Sequence, residues 1–338
     1  MSSSSGSTLP RSASWPISRP GQRPATATTE SSVVVPSWRR PADLARCLDA
    51  LERQTQAPGE IVVVVRSDDL ETRDLVSARG VRLVEVDVPG NVAAMEAGRL
   101  AASGEIVAFT DDDAVPSPGW LADLVSRLRS DPRLGGVGGR DRFDGRDFPS
   151  SRQVVGKVHW YGRRVGEHHR GVGSLRHVDV LKGVNAAFRR EALDSVGFDS
   201  RLRGAGSQPH WEVALCLGIK RAGWELAYDP AITVDHYEGA RFGEDERLHP
   251  DPGELRSAAH NDLYGRIRWL PWWRKPAAVL YDLLVGTREA PGLALAVERA
   301  LRTGEPRRVL ARLAAATRGR LDALGTYLQV LRQGSKSA

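Results

Sequence analysis

From Ser32 onward, short apolar runs alternate with amphipathic stretches. Val33-Val34-Val35 reads as a buried strand ended by Pro36, and Leu44, Leu48 and Leu51 then recur at helical spacing from Pro41 through about Gln54. Residues 61–65 form a second continuous β-branched run, as strands buried on both faces require. The pattern goes on to predict a short helix at 71–79, a strand at 81–86, a helix of small residues at 91–102 and a strand at 106–110. Strands alternating with helices imply right-handed crossovers and a mostly parallel sheet, so the expected class is α/β. Ligands of such sheets bind beyond the carboxyl ends of the strands. Pro36-Ser37, Arg66 to Asp69 and Asp111 to Asp113 should therefore converge on one crevice.

The second half is less regular. Leu121, Leu124, Val125 and Leu128 mark a helix after Pro118, and the Gly-rich, polar stretch 135–173 should hold strands and loops. Strands are expected at 178–181, 184–188, 224–228 and 232–236, with helices at 190–196 and 213–222. From about His260 the chain reads as helices, interrupted at Gly286 and Pro291. Residues 1–30 are rich in Ser, Thr, Pro and Ala with almost no aliphatic side chains, too few to offset ordering entropy, so a disordered tail is expected there. No internal repeat is visible.

Composition narrows the class without deciding the function. A chain of 338 residues with 41% hydrophobic and 27% charged residues can bury a sizeable core. It has no apolar run of the length a membrane-spanning helix needs, and no apolar stretch after Met1 that would suggest a secretory signal. Cys47 and Cys216 both fall on apolar helix stripes without zinc-ligand spacing, which suits buried thiols in a reducing cytoplasm. The net charge is +6, but only five of the 48 basic residues are lysine. That skew fits the Arg-for-Lys usage of a high-GC genome as well as an anionic partner, and no nucleic-acid partner is expected.

The chemistry concentrates in Phe109-Thr110-Asp111-Asp112-Asp113-Ala114-Val115-Pro116. Three clustered carboxylates at the end of a buried strand raise one another's pKa, and a divalent cation between them removes that cost. A solvated turn with Asp capping the next helix is the simpler reading of a lone pair of aspartates. Three in a row after a strand favour a metal site of the kind a diphosphate substrate needs.

Several ordered motifs resemble the family 2 glycosyltransferases of the GT-A fold. They are VVVPSWRR at 33–40, VVVVRSDD at 62–69, GEIVAFTDDDAVPSPGWL at 104–121, KGVNAAFRREAL at 182–193, GFD at 197–199 and YDPAITVDH at 228–236. The resemblance covers residues 31–240 and implies a Rossmann-like, mostly parallel sheet flanked by helices. Residues 1–30 would be a tail, and 241–338 a loop plus helical C-terminal extension. By resemblance, Asp111 and Asp113 hold Mn²⁺ or Mg²⁺ on the donor diphosphate, Asp112 lies near the ribose, and His236 is a further metal ligand. Pro36, Ser37 and Arg39 would meet the nucleotide, and Asp68 or Asp69 would read the base edge. Gly183 and Asn185 would belong to the acceptor site. The family's catalytic aspartate falls on Glu212, with His210 as a rival base.

The chain departs from the family pattern at three places. No acidic residue follows Pro36 closely, Met95-Glu96 stands where relatives often carry Arg-Asn, and Trp211-Glu212 replaces Glu-Asp. The implied activity is metal-dependent, inverting transfer of a sugar from a nucleotide-diphosphate sugar, a UDP-sugar foremost, to a hydroxyl. The acceptor would be a sugar, a lipid-linked molecule or a small molecule. Two rivals stand beside it. A sugar-phosphate nucleotidyltransferase would want a Gly-rich loop after the first strand, which VVVPSWRR lacks. A non-catalytic protein of the same fold, binding nucleotide-sugars or membranes, is the other.

The C-terminal segment Trp269-Leu270-Pro271-Trp272-Trp273-Arg274-Lys275, with Arg307, Arg308, Arg312, Arg318 and Arg320, sets aromatics beside cations. That suits either peripheral contact of residues 261–338 with the inner face of a membrane or tryptophans packing a helical subdomain. The expected location is the cytoplasm, at or near that face.

Overall fold

The computed structural model describes residues 30–148, 151–237, 239 and 251–334. The tail expected at 1–30 and the loop opening the C-terminal extension thus lie almost wholly outside the described residues.

The first four strands are β1 (Ser31–Ser37), β2 (Glu60–Arg66), β3 (Arg82–Val86) and β4 (Ile106–Phe109), joined by helices α1 (Pro41–Glu52), α2 (Leu70–Arg79) and α3 (Asn91–Ala101). β1 pairs in parallel with both β2 and β4, and β2 with β3. Alternation along β1 divides the core. Val33 and Val35 pack with Leu44, Leu48 and Leu51 of α1 on one face, while Val34 packs with Met95 of α3 on the other. Two apolar faces explain the unbroken valine runs.

The remainder of the sheet comes from β5 (Ala114–Pro116), β6 (Leu134–Phe143), β9 (Arg176–Val178), β10 (Ala186–Arg189) and β11 (Glu225–His236). A separate hairpin joins β7 (Lys157–Val158) and β8 (Arg164–Val165). Helices α4 (Trp120–Ser130), α5 (Arg190–Asp194) and α6 (Trp211–Arg221) lie between these strands in sequence. The strand order is β3-β2-β1-β4-β10-β6-β11-β5, with β9 against β11. β10 runs antiparallel between β4 and β6, whereas β6 and β11 are parallel.

Several boundaries differ from expectation. β1 continues through Pro36 to Ser37 in register with β2, so the proline does not end it. The strand expected at 178–181 ends at Val178, because Asp179 and Val180 both donate their N–H to Gly156 O instead of to a neighbouring strand. Residues 183–185 form a single 3₁₀ turn before β10. The two strands expected at 224–236 are one strand, with an irregularity between Asp229 and Thr233.

The C-terminal extension is α7 (Pro252–Trp269), α8 (Lys275–Leu284), α9 (Leu293–Thr303) and α10 (Pro306–Gly334). α7 starts earlier than the apolar pattern suggested, capped by the Asp251 carboxylate, which accepts from Gly253 N, with Pro252 at its first position. It packs closely on α6: a Cβ at Gly265 would lie 3.0 Å from Ala214 N. At its other side the buried Arg266 donates to Asp262 at 2.9 Å and Asp282 at 2.6 Å, and to Gly162 O. Among the described residues no helix is long and apolar enough to cross a membrane.

Candidate active site

The chain leaves β4 at Phe109 and turns through Asp111-Asp112-Asp113 before β5, which pairs with the end of β11 so that His236 faces the turn. Asp111, Asp113 and His236 each offer a ligand atom within 4.8 Å of the others. Asp113 Oδ1 lies 3.0 Å from His236 Nε2, and His236 Nδ1 is buried without a hydrogen-bond partner. Asp113 Oδ2 accepts from Gly239 N and from Arg40 Nη1, both at 3.0 Å, which aims Oδ1 at the cluster.

Electrostatics distinguish the three carboxylates. Burial, reinforced by Asp113, pushes Asp111 up to about 6. Burial pushes Asp112 up to about 7, although Arg40 pulls it back. Burial works the same way on Asp113, but His236, Gly239 N and Arg40 outweigh it and hold this carboxyl at about 2. His236 is raised: burial would lower it, but Asp113 and Asp111 more than compensate. Two carboxylates, one of them raised by burial, and an imidazole with an unpartnered buried nitrogen fit a divalent cation.

Asp112 turns the other way. It accepts from Ser37 Oγ and from Arg40 Nη1, both at 2.8 Å, and so ties the turn to the exit of β1. Beyond this tie lies a cavity of about 180 Å³ lined by Pro36, Ser37, Trp38, Arg40, Arg66 and the three aspartates among others. The guanidinium carbons of Arg39 and Arg66 each lie 5.0 Å from the Trp38 ring centre. Of the expected donor residues, Arg39, Asp68 and Asp69 do not line this cavity. Asp69 is occupied as a helix cap, its carboxylate accepting from Thr72 N and Arg39 N. Asp68 is paired with Arg66 at 3.1 Å. Glu96, from the departing Met95-Glu96 pair, binds Arg99 and the N–H of Phe198, and it does not line the cavity either.

A second cavity, of about 400 Å³, shares Asn91, Asp111, Ser207 and His236 with the first. Gly183, Lys182, Arg164, His210 and Glu212 lie on its walls. The segment 204–210 closes over the start of α3, where Asn91 N donates to Gly206 O and Val92 N to Gln208 Oε1. Gly183 is required for space, since a Cβ there would lie 2.2 Å from the Trp211 ring. Its neighbour Glu212 is raised by burial, with its own N–H and that of Gly183 opposing. Asn185 is not in the cavity. It is fully buried beneath the sheet, accepting from Trp120 Nε1 and donating to Arg140 O and Ile232 O.

Residues 29–249 match the family model described as glycosyltransferase like family 2. The chain belongs to the family 2 glycosyltransferases. Among curated relatives it is 32% identical over 228 residues to the protein y4gI of Sinorhizobium fredii, and 26% identical over 220 residues to the glucosyl-dolichyl phosphate glucuronosyltransferase of Haloferax volcanii. These matches cover 62% and 59% of this chain but only 24% and 66% of the two relatives. Among solved structures, the mannosyltransferase PcManGT of Pyrobaculum calidifontis, in complex with GDP-Man and Mn²⁺, superposes with a TM-score of 0.51 at 20% identity, covering 88% of each chain. At that identity the likeness is one of fold, the GT-A arrangement of sheet and flanking helices.

In this family 2 member the structure brings together the candidate site residues Pro36, Ser37, Asp111, Asp112, Asp113, Gly183, His210, Glu212 and His236 across two joined cavities. It leaves Arg39, Asp68, Asp69 and Asn185 outside both. Sequence reasoning passed over Arg164, reached Arg66 only as the start of the segment 66–69, and gave Arg40 and Lys182 no role of their own. Arg40 and Lys182 were discernible as cations inside quoted motifs. Arg164 lies in a Gly-rich stretch with no periodicity to place it.

Proposed function

We propose that this family 2 member transfers a sugar from a nucleoside diphosphate sugar to an acceptor hydroxyl, with inversion at the anomeric carbon. The observation that carries this reading is that the two cavities meet at Asp111 and His236, with Glu212 in the second. In this reading the first cavity takes the nucleotide, against Pro36, Ser37 and Trp38, and the second takes the acceptor.

Asp111, Asp113 and His236 would hold Mn²⁺ or Mg²⁺. When bound, such a cation neutralises the diphosphate and acts as a Lewis acid toward it. Arg40 keeps Asp113 oriented, and Ser37 keeps Asp112 turned away from that cluster. Lys182, held by the buried carboxylate of Asp141, adds a fixed positive charge on the acceptor side of Asp111. Glu212 accepts the proton of the acceptor hydroxyl as its oxygen bonds to the anomeric carbon and the diphosphate leaves from the opposite face. Burial strengthens Glu212 as a base by raising its proton affinity toward neutrality. Residues 31–240 would form this catalytic unit, with 241–338 as an extension braced on α6.

The test is a panel of nucleoside diphosphate sugars screened with Mn²⁺ for thermal stabilisation of the chain. At least one donor class should raise the unfolding midpoint. Failure of every donor to do so would overturn the proposal.

A further inference from the structure

The C-terminal helices carry an apolar surface that none of the described residues covers. Of the 19 large apolar side chains exposed among the described residues, 12 lie between Trp272 and Leu331. Trp272 and Leu301 are each 82% exposed. Along α9, Leu293, Val297 and Leu301 recur every fourth residue and form one exposed stripe, while Ala296 supplies the buried contact. Leu280 and Leu284 continue the exposed surface on α8, and Leu310, Leu321 and Leu328 on α10. Between α8 and α10 runs a groove of about 560 Å³ walled by Trp272, Leu280, Leu283, Leu324 and Tyr327. Trp269, Leu324 and Tyr327 do pack on the core, whereas Trp272, Trp273 and the exposed leucines of α8 to α10 do not.

Charge selects the occupant. From Gly286 to Arg320 there are eight arginines, three glutamates and no aspartate or lysine, a surplus of +5 in a chain whose whole surplus is +6. Burial lowers Arg312, and Arg299 and Arg308 push it the same way. A second copy of the chain would set this surplus against itself. An anionic surface with an apolar interior satisfies both features, and exposed tryptophans suit its headgroup level.

We infer that the helical extension is an interfacial anchor lying on anionic lipid, with Leu293, Val297 and Leu301 of α9 entering the headgroup boundary and Arg302, Arg307 and Arg318 pairing with lipid phosphates. This goes beyond the sugar-transfer reading and does not depend on it.

The test is co-sedimentation of the full chain with vesicles of phosphatidylcholine alone, or mixed with phosphatidylglycerol, at low and high salt. The chain should sediment with the mixed vesicles, weakly with the neutral ones, and less at high salt. Leu293→Gln/Val297→Gln/Leu301→Gln should weaken partition by at least about a hundredfold. Arg302→Gln/Arg307→Gln/Arg318→Gln should weaken it by about a hundredfold. Equal sedimentation with neutral and mixed vesicles, or no sedimentation with either, would overturn the inference. So would a Gln triple of α9 that still binds lipid like the parent, or one whose only effect is a change of oligomeric state in sedimentation velocity.

Discussion

Arg164 Nη2 lies 2.9 Å from His210 Nδ1. A guanidinium only donates, so Nδ1 is the acceptor and the remaining ring proton sits on Nε2. Burial, followed by Arg164, also pushes His210 down to about 4. Both nitrogens of the rival base are therefore committed, and its proton affinity is poor. Of these two candidate bases, Glu212, raised by burial on the same cavity wall, is the one the proposed transfer uses.

Glu212→Gln should keep donor binding and lose transfer by at least about a hundredfold, the usual contribution of a general base. His210→Gln, which preserves an acceptor for Arg164, should cost less than about tenfold on the same scale. Single-turnover transfer rates at saturating donor check both. Normal transfer by Glu212→Gln, or an equal collapse in His210→Gln, would assign the base elsewhere.

The pH dependence follows from the same side chain. The ordinary Glu value is 4.5, and burial raises Glu212 above it. A base must be ionised, so the transfer rate should fall as pH drops through this raised pKa and be full well above it. A profile of the single-turnover rate should show that acid limb, and Glu212→Gln should lack it. A limb that survives in the variant would contradict the assignment.

Asn185 was expected to touch the acceptor, but it holds three buried partners together. Asn185→Ala would leave Trp120 Nε1, Arg140 O and Ile232 O without it, at a cost of about 1–3 kcal/mol. Urea denaturation measures this directly. Unchanged stability with a raised acceptor KM would return Asn185 to the binding site.

Arg266 is almost fully buried between Asp262 of α7 and Asp282 of α8. Arg266→Met would remove the cation shared by two interior carboxylates, leaving Asp262 only Arg164 and Asp282 only the more distant Arg320, and should cost about 3 kcal/mol, read from the denaturant midpoint. A midpoint equal to that of the parent would show that the extension does not depend on this cluster.

What could be read from the sequence was what one stretch of chain encodes by itself. Val33 to Val35 and the run at 61–65 announced strands buried on both faces, and Asp111 to Asp113 announced a carboxylate cluster at a strand end, because each needs only neighbouring residues. His236 could be attached only through the family pattern, since the pairing of β11 with β5 brings it to the aspartates from far along the chain. Asp69 could not be placed from sequence because a carboxylate before a helix can cap it or face a ligand, and the two uses look alike until the Thr72 N–H is placed. Asn185 was ambiguous for a related reason: a polar side chain in an apolar segment can face a cavity or satisfy the backbone beneath it. Arg164 was invisible because its partners, His210 and Asp262, are remote in sequence.

The central claim is that Asp111, Asp113 and His236 hold a cation on a nucleoside diphosphate. Calorimetric titration of UDP and GDP into the chain, with Mn²⁺ and with EDTA, and into Asp113→Ala, tests it most directly. Binding of one nucleotide should need Mn²⁺ and vanish in Asp113→Ala. Equal affinity in Mn²⁺ and EDTA, or an unchanged affinity in the variant, would contradict it.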